Sequence, residues 1–115
     1  MDNEIGRRAI EDLKSLFPSK SYSWYRRCLK RLKSVRLIKI DPFYEYWIVE
    51  GDPSLGDRDR MYLVRYDVRG RRYICTCYTP TKKFSWSRAK KMCTHVGAVI
   101  LYKIVRRKYL MKEEA

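Results

Sequence analysis

Four side chains with metal-ligand chemistry stand in one pattern: Cys75-x-Cys77, then fifteen intervening residues, then Cys93-x-His95. The pattern uses the only histidine and three of the four cysteines in the chain. Thiolates and imidazole are the donors zinc favours, and a Cys3His set fills all four tetrahedral positions. A filled shell points to one structural Zn2+, since catalytic zinc keeps a position open for water or substrate. A redox dithiol at Cys75-x-Cys77 and iron–sulfur ligation are the competing chemistries. The fourth thiol, Cys28, lies far from the pattern and reads as a small buried hydrophobe.

The spacing constrains what must hold these ligands. Side chains two apart on a strand point to one face, so Cys75 and Cys77 are expected on a strand. Two helical residues at that spacing diverge by about 200°. Cys93 therefore belongs just before a helix, with His95 in its first turn. Free N–H groups there can donate to thiolate sulfur.

Residues 3–17 predict a first helix, with Ile5, Ala9, Leu13, Leu16 and Phe17 recurring at helical steps and Asp2 or Asn3 as its cap. Residues 22–34 predict a second, capped by Ser21 or Ser23, with Tyr25, Cys28, Leu29 and Leu32 as its apolar stripe. Strands are expected at 35–40, 43–49, 61–66 and 71–77, joined by short turns that favour an antiparallel meander. Gly70 is the residue suited to a left-handed turn position. Residues 50–60 read as a solvated acidic loop; Asp52, Asp57 and Asp59 lack a calcium-loop pattern. A short helix from Ser85 to Met92 and a longer one from Thr94 to about Met111 complete the chain. The expectation is one α+β domain over residues 1–115: a helical part (1–34), about four antiparallel strands (35–77), and a zinc loop with a zinc-tied C-terminal helix (78–115).

The order strand, strand, C-x-C, loop, C-x-H, helix resembles the SWIM zinc finger. The stretch Cys93-Thr94-His95-Val96-Gly97-Ala98-Val99 is similar to that family's C-x-H-x-x-A-V ending. The resemblance covers roughly residues 35–105, as in small stand-alone microbial or viral members, and leaves the two N-terminal helices outside it. It implies a structural zinc at Cys75, Cys77, Cys93 and His95. It also implies a DNA-binding or protein-interaction role, because the family occurs in transposases, chromatin-remodelling proteins and recombination accessory proteins.

Charge bears on the choice. The chain carries 27 basic and 13 acidic residues, a net of +14. Both ends are basic and residues 41–64 are acidic. An excess of this size suits a polyanion, most simply nucleic acid. The second helix offers Arg26, Arg27, Lys30, Arg31 and Lys33. The 78–92 loop offers Lys82, Lys83, Arg88, Lys90 and Lys91. The last helix offers Arg106 and Arg107, with Lys103 and Lys108 beside them. Each cluster has a plainer reading as a solvated face. Among 16 aromatics, Trp24, Tyr78, Phe84 and Trp86 are candidates to stack on single-stranded bases.

No catalytic arrangement stands out. There is no second histidine and no phosphate-binding glycine loop. The expectation is a non-enzymatic, cytoplasmic, zinc-stabilised nucleic-acid-binding accessory protein, with DNA favoured and recombination, repair or transcription as its setting. No membrane association or small-molecule substrate is expected. The alternative is an adaptor whose basic face meets an acidic protein, for example a recombinase-type partner.

Overall fold

In the computed structural model, residues 3–78 and 92–110 are described. Helices α1 (Asn3–Leu16) and α2 (Tyr22–Arg31) come first. Strands β1 (Val35–Ile40), β2 (Tyr44–Glu50), β3 (Met61–Asp67) and β4 (Arg72–Cys75) follow. Helix α3 (Thr94–Ile104) closes the chain and runs on into a π-helical segment, Val105–Leu110. The strands form one antiparallel sheet in the order β1-β2-β3-β4. The α+β architecture expected from the sequence is the one observed. No described helix is long and apolar enough to cross a membrane.

The sequence explains most of these elements. In α1, Ala9 and Leu13 fall four apart and are fully buried. Ser21 caps α2, its Oγ accepting from the N–H of Trp24 at 3.1 Å. The second helix stops earlier than its pattern predicts. Leu32–Ser34 form a 3-10 turn instead, a tightened last turn that delivers Val35 to the sheet. Leu16, counted in the first apolar stripe, is exposed.

Alternation sorts the sheet into two faces. Val35, Trp47, Val49, Tyr62, Val64 and Cys75 are buried in a core shared with all three helices. Their neighbours Arg36, Tyr46, Ile48, Leu63, Arg65 and Ile74 lie on the opposite face. Helix α3 is buried from His95 to Leu101, as befits a helix apolar on nearly every side. Gly97 lets α2 come against it. A Cβ there would meet Cys28 Sγ at 2.4 Å and the Trp24 ring at 2.8 Å.

Two local expectations are corrected. At the β3–β4 turn, the left-handed residue is Arg71 (φ 53) rather than Gly70. Gly70 serves close approach instead: its N–H donates to Asp67 Oδ1 at 3.1 Å, and a Cβ would meet Asp67 Oδ2 at 2.8 Å. The strand expected to reach Cys77 ends at Cys75, and Thr76–Tyr78 turn as a 3-10 segment. The helix expected from Ser85 begins outside the described residues.

Candidate metal centre

Residues two apart on an extended strand sit about 6.6–6.8 Å apart along it. The ligands of one tetrahedral ion lie a little under roughly 4 Å from one another, so the two side chains must lean together. β4 ends at Cys75, and the chain turns through Thr76–Tyr78. The ligand atoms of Cys75, Cys77, Cys93 and His95 all lie within 4.8 Å of one another. Cys75 is fully buried and His95 is 3% exposed. Cys77 and Cys93 are partly covered.

Helix α3 begins as the spacing predicts. Cys93 is its N-cap, and its Sγ accepts from the N–H of Val96 at 3.5 Å. Cys75 Sγ accepts from the N–H of Cys77 at the same distance, 3.5 Å. Such N–H groups lower the cost of thiolate charge. The neighbouring sulfurs of Cys77 and Cys93, and then burial, push the Cys75 thiol far above its ordinary range. Three crowded thiols in that setting favour a cation that replaces their protons.

His95 gives the clearest test of fit. Its Nε2 lies 3.0 Å from Asp57 Oδ1. Burial opposes ionisation of Asp57, but hydrogen bonds from Arg31 and the Asp52 N–H hold its carboxyl below the usual range. An ionised carboxylate only accepts, so Nε2 carries the proton. In the neutral imidazole that ligates metals Nδ1 then keeps a lone pair, and it is a buried polar atom without a hydrogen-bond partner. A buried lone pair beside three sulfurs suits a metal ion, and the carboxylate behind the imidazole is the usual means of fixing a ligating histidine. The residues present therefore fit one bound metal ion.

Further side chains hold this pair: Tyr62, which the sequence does not single out, and Arg31, which it assigns to nucleic acid. Tyr62 stacks on the imidazole with ring centres 3.9 Å apart and planes at 19°. Its hydroxyl accepts from the N–H groups of Arg58 and Asp59, each at 3.2 Å. Arg31 grips Asp57 with both terminal nitrogens, and its Nε donates to Thr94 Oγ1 at 2.9 Å. Asp57 was expected in a solvated loop, yet its side chain is 6% exposed. Gly51 permits the loop to close over it: Gly51 N–H donates to Arg60 O at 2.7 Å, and a Cβ would fall 1.8 Å from Asp59 O.

The basic clusters divide. Arg31, expected on the outer face of α2, is 3% exposed and committed to Asp57 and Thr94. It is withdrawn from any phosphate. Its position gives the signal: three residues after Cys28, it falls on the buried stripe. Arg26, Lys30 and Lys33 are exposed, and among the described residues no ion pair engages them. Arg27 is exposed too, though its Nη1 donates to Leu55 O at 3.1 Å. Arg106 and Arg107 are exposed beyond α3. Lys103 turns inward to Glu45 at 2.6 Å, and Lys108 lies 3.3 Å from Asp12. Trp24 completes the core, its Nε1 donating to Met92 O at 2.9 Å. Lys82, Lys83, Arg88, Lys90, Lys91, Phe84 and Trp86 lie outside the described residues, and the side chain of Tyr78 is not described.

No protein-family model matches this chain, and no curated protein or solved structure matches it either.

Proposed function

We propose that the chain is a zinc-stabilised, non-enzymatic nucleic-acid-binding protein, with DNA as the favoured ligand. The donor set of three sulfurs and one imidazole supports zinc over harder cations. Bound there, the ion supplies folding energy by tying the end of β4 to the start of α3. The resemblance to SWIM fingers supports the same ligand assignment. It also supports an accessory role in recombination, repair or transcription within a cytoplasmic or equivalent reducing compartment.

One observation carries the nucleic-acid reading. Helix α2 turns its stripe and Arg31 inward while Arg26, Lys30 and Lys33 remain exposed without an ion-pair partner among the described residues. In a chain of net charge +14, uncompensated cations on one rigid helix are suited to displacing counterions from phosphates.

The test is fluorescence anisotropy of zinc-loaded protein with single- and double-stranded DNA across a salt series. Binding that persists near physiological salt and falls at least tenfold in the Arg26→Glu, Lys30→Glu, Lys33→Glu variant supports the reading. Loss of all binding below that salt, with an acidic protein retained on the same face, would move the assignment to an adaptor.

A further inference from the structure

The face of the sheet turned away from the helices has no described element packed on it, yet it is not built as a plain solvated surface. Register places Lys39 opposite Tyr46, Tyr46 opposite Arg65, and Arg65 opposite Ile74, forming one row across all four strands. Tyr44 stands two residues along β2 on the same face. The two tyrosine rings lie 6.1 Å apart at an interplanar angle of 57°. The Arg65 guanidinium sits 4.7 Å from the centre of the Tyr44 ring, and Lys39 Nζ sits 5.6 Å from that of Tyr46. Both tyrosines are half-buried residues. Ile74 is 46% exposed and Leu63 38%, so the floor beside the rings is apolar.

We propose that this face is a stacking platform for single-stranded nucleic acid, with Tyr44 and Tyr46 receiving bases and Lys39 and Arg65 receiving phosphates. The proposal rests on the nucleic-acid reading above and names the form of the ligand and a second surface for it. Three features select this occupant. Rings flanked by cations on an open four-stranded sheet provide base stacking and backbone neutralisation together. The rings stand farther apart than the roughly 3.4 Å step of a duplex strand, so bases resting on them must be parted from one another. A paired duplex does not present its base faces in this way. The charge is also complementary. Arg36 and Arg72 share the face, and the acids Glu50 and Asp67 lie at its margins. Glu50 is drawn to Arg36 at 3.6 Å, and Asp67 Oδ1 accepts from the turn N–H groups of Arg69 and Gly70.

The experiment uses zinc-loaded full-length protein and fluorescein-labelled oligothymidylate, with a duplex of equal length beside it. Tyr44→Ala/Tyr46→Ala is expected to weaken single-strand binding by roughly tenfold or more, a loss of the size that stacking contacts give on alanine substitution. Tyr44→Phe/Tyr46→Phe, which keeps the rings, is expected to bind as the parent does. Circular dichroism melts of each variant check that the fold persists. If the phenylalanine variant alone proves folded, its retained affinity combined with loss in Arg65→Ala supports the platform. Parent protein that binds neither oligonucleotide overturns both this proposal and the nucleic-acid reading. Parent protein that binds, with the alanine variant unchanged, overturns the platform alone. A dimer in sedimentation equilibrium that the alanine variant abolishes would make the face an interface between copies, and would overturn the platform as well.

Discussion

Asp57 Oδ1 stands 3.0 Å from His95 Nε2, joining residues thirty-eight apart in sequence and leaving His95 Nδ1 as a buried nitrogen without a hydrogen-bond partner. This contact makes the β2–β3 loop part of the candidate metal centre. Asp57→Ala is expected to lower zinc affinity by about 10- to 100-fold, the usual cost of removing a carboxylate behind a ligating histidine. It should also destabilise the fold by roughly 3–5 kcal/mol, since Arg31 would remain buried without its counter-charge. Competition with a chromophoric chelator and thermal melts of the metal-loaded protein measure the two effects. Affinity within twofold of the parent would remove Asp57 from the site.

Arg31 illustrates why charge alone does not define a surface. Its three nitrogens fork between Asp57 and Thr94, a geometry an ammonium does not reproduce. Arg31→Lys is therefore expected to cost about 1.5–3 kcal/mol despite conserving charge, the scale of lost hydrogen bonds to a charged group. Arg26→Lys, on the exposed side of the same helix, should change stability by less than about 0.5 kcal/mol. Urea unfolding of both variants compares them directly. Equal midpoints would mean that the Arg31 fork is energetically idle.

Removing the metal should expose the cysteines in a definite order. With zinc bound, Cys75, Cys77 and Cys93 are expected to resist alkylation. A chelator should release these three together, as expected of ligands to one ion. Cys28 is fully buried, and burial pushes its thiol far above the ordinary range. Its reaction should wait until α3, which packs on it at Gly97, comes away. Mass spectrometry after timed iodoacetamide pulses counts the labels; early labelling of Cys28 would contradict its place between α2 and α3. Single replacements Cys75→Ala, Cys77→Ala, Cys93→Ala and His95→Ala should each lower zinc below one per chain and unfold at least the C-terminal half. Folding and stoichiometry retained in Cys93→Ala would refute the ligand set.

Much of this arrangement is local, and the local part is legible in the sequence. Cys93 before a helix and His95 in its first turn follow from a two-residue spacing that no helix interior satisfies. The strands follow from runs such as Tyr46-Trp47-Ile48-Val49. The turn at Thr76–Tyr78 is less visible, because Cys75-x-Cys77 suits a continuing strand equally well. Asp57 is not legible at all. Nothing near it distinguishes it from Asp52 or Asp59, and its partners lie on α2 and α3, brought to it only by the completed meander. Tyr44 and Tyr46 escape notice for a related reason. A run rich in apolar residues on both faces reads as core, and only the observed layering leaves one face uncovered.

Gly97 tests the packing of α2 against α3. Replacing a helical glycine by alanine ordinarily stabilises a helix by about 1 kcal/mol. Here the added Cβ would meet Cys28 Sγ at 2.4 Å and two atoms of the Trp24 ring at 2.8 Å, in a buried layer where little can move. Overpacking of this kind typically costs about 1–3 kcal/mol. The clash is expected to exceed the helix gain, and Gly97→Ala should lower the melting temperature. Adding Cys28→Ala removes the closest atom and should recover part of the loss, so the double variant should be more stable than Gly97→Ala alone. Because Cys28 is not a ligand, the zinc content of the double variant should stay at one per chain. If the two substitutions simply add, α2 and α3 do not meet through this contact.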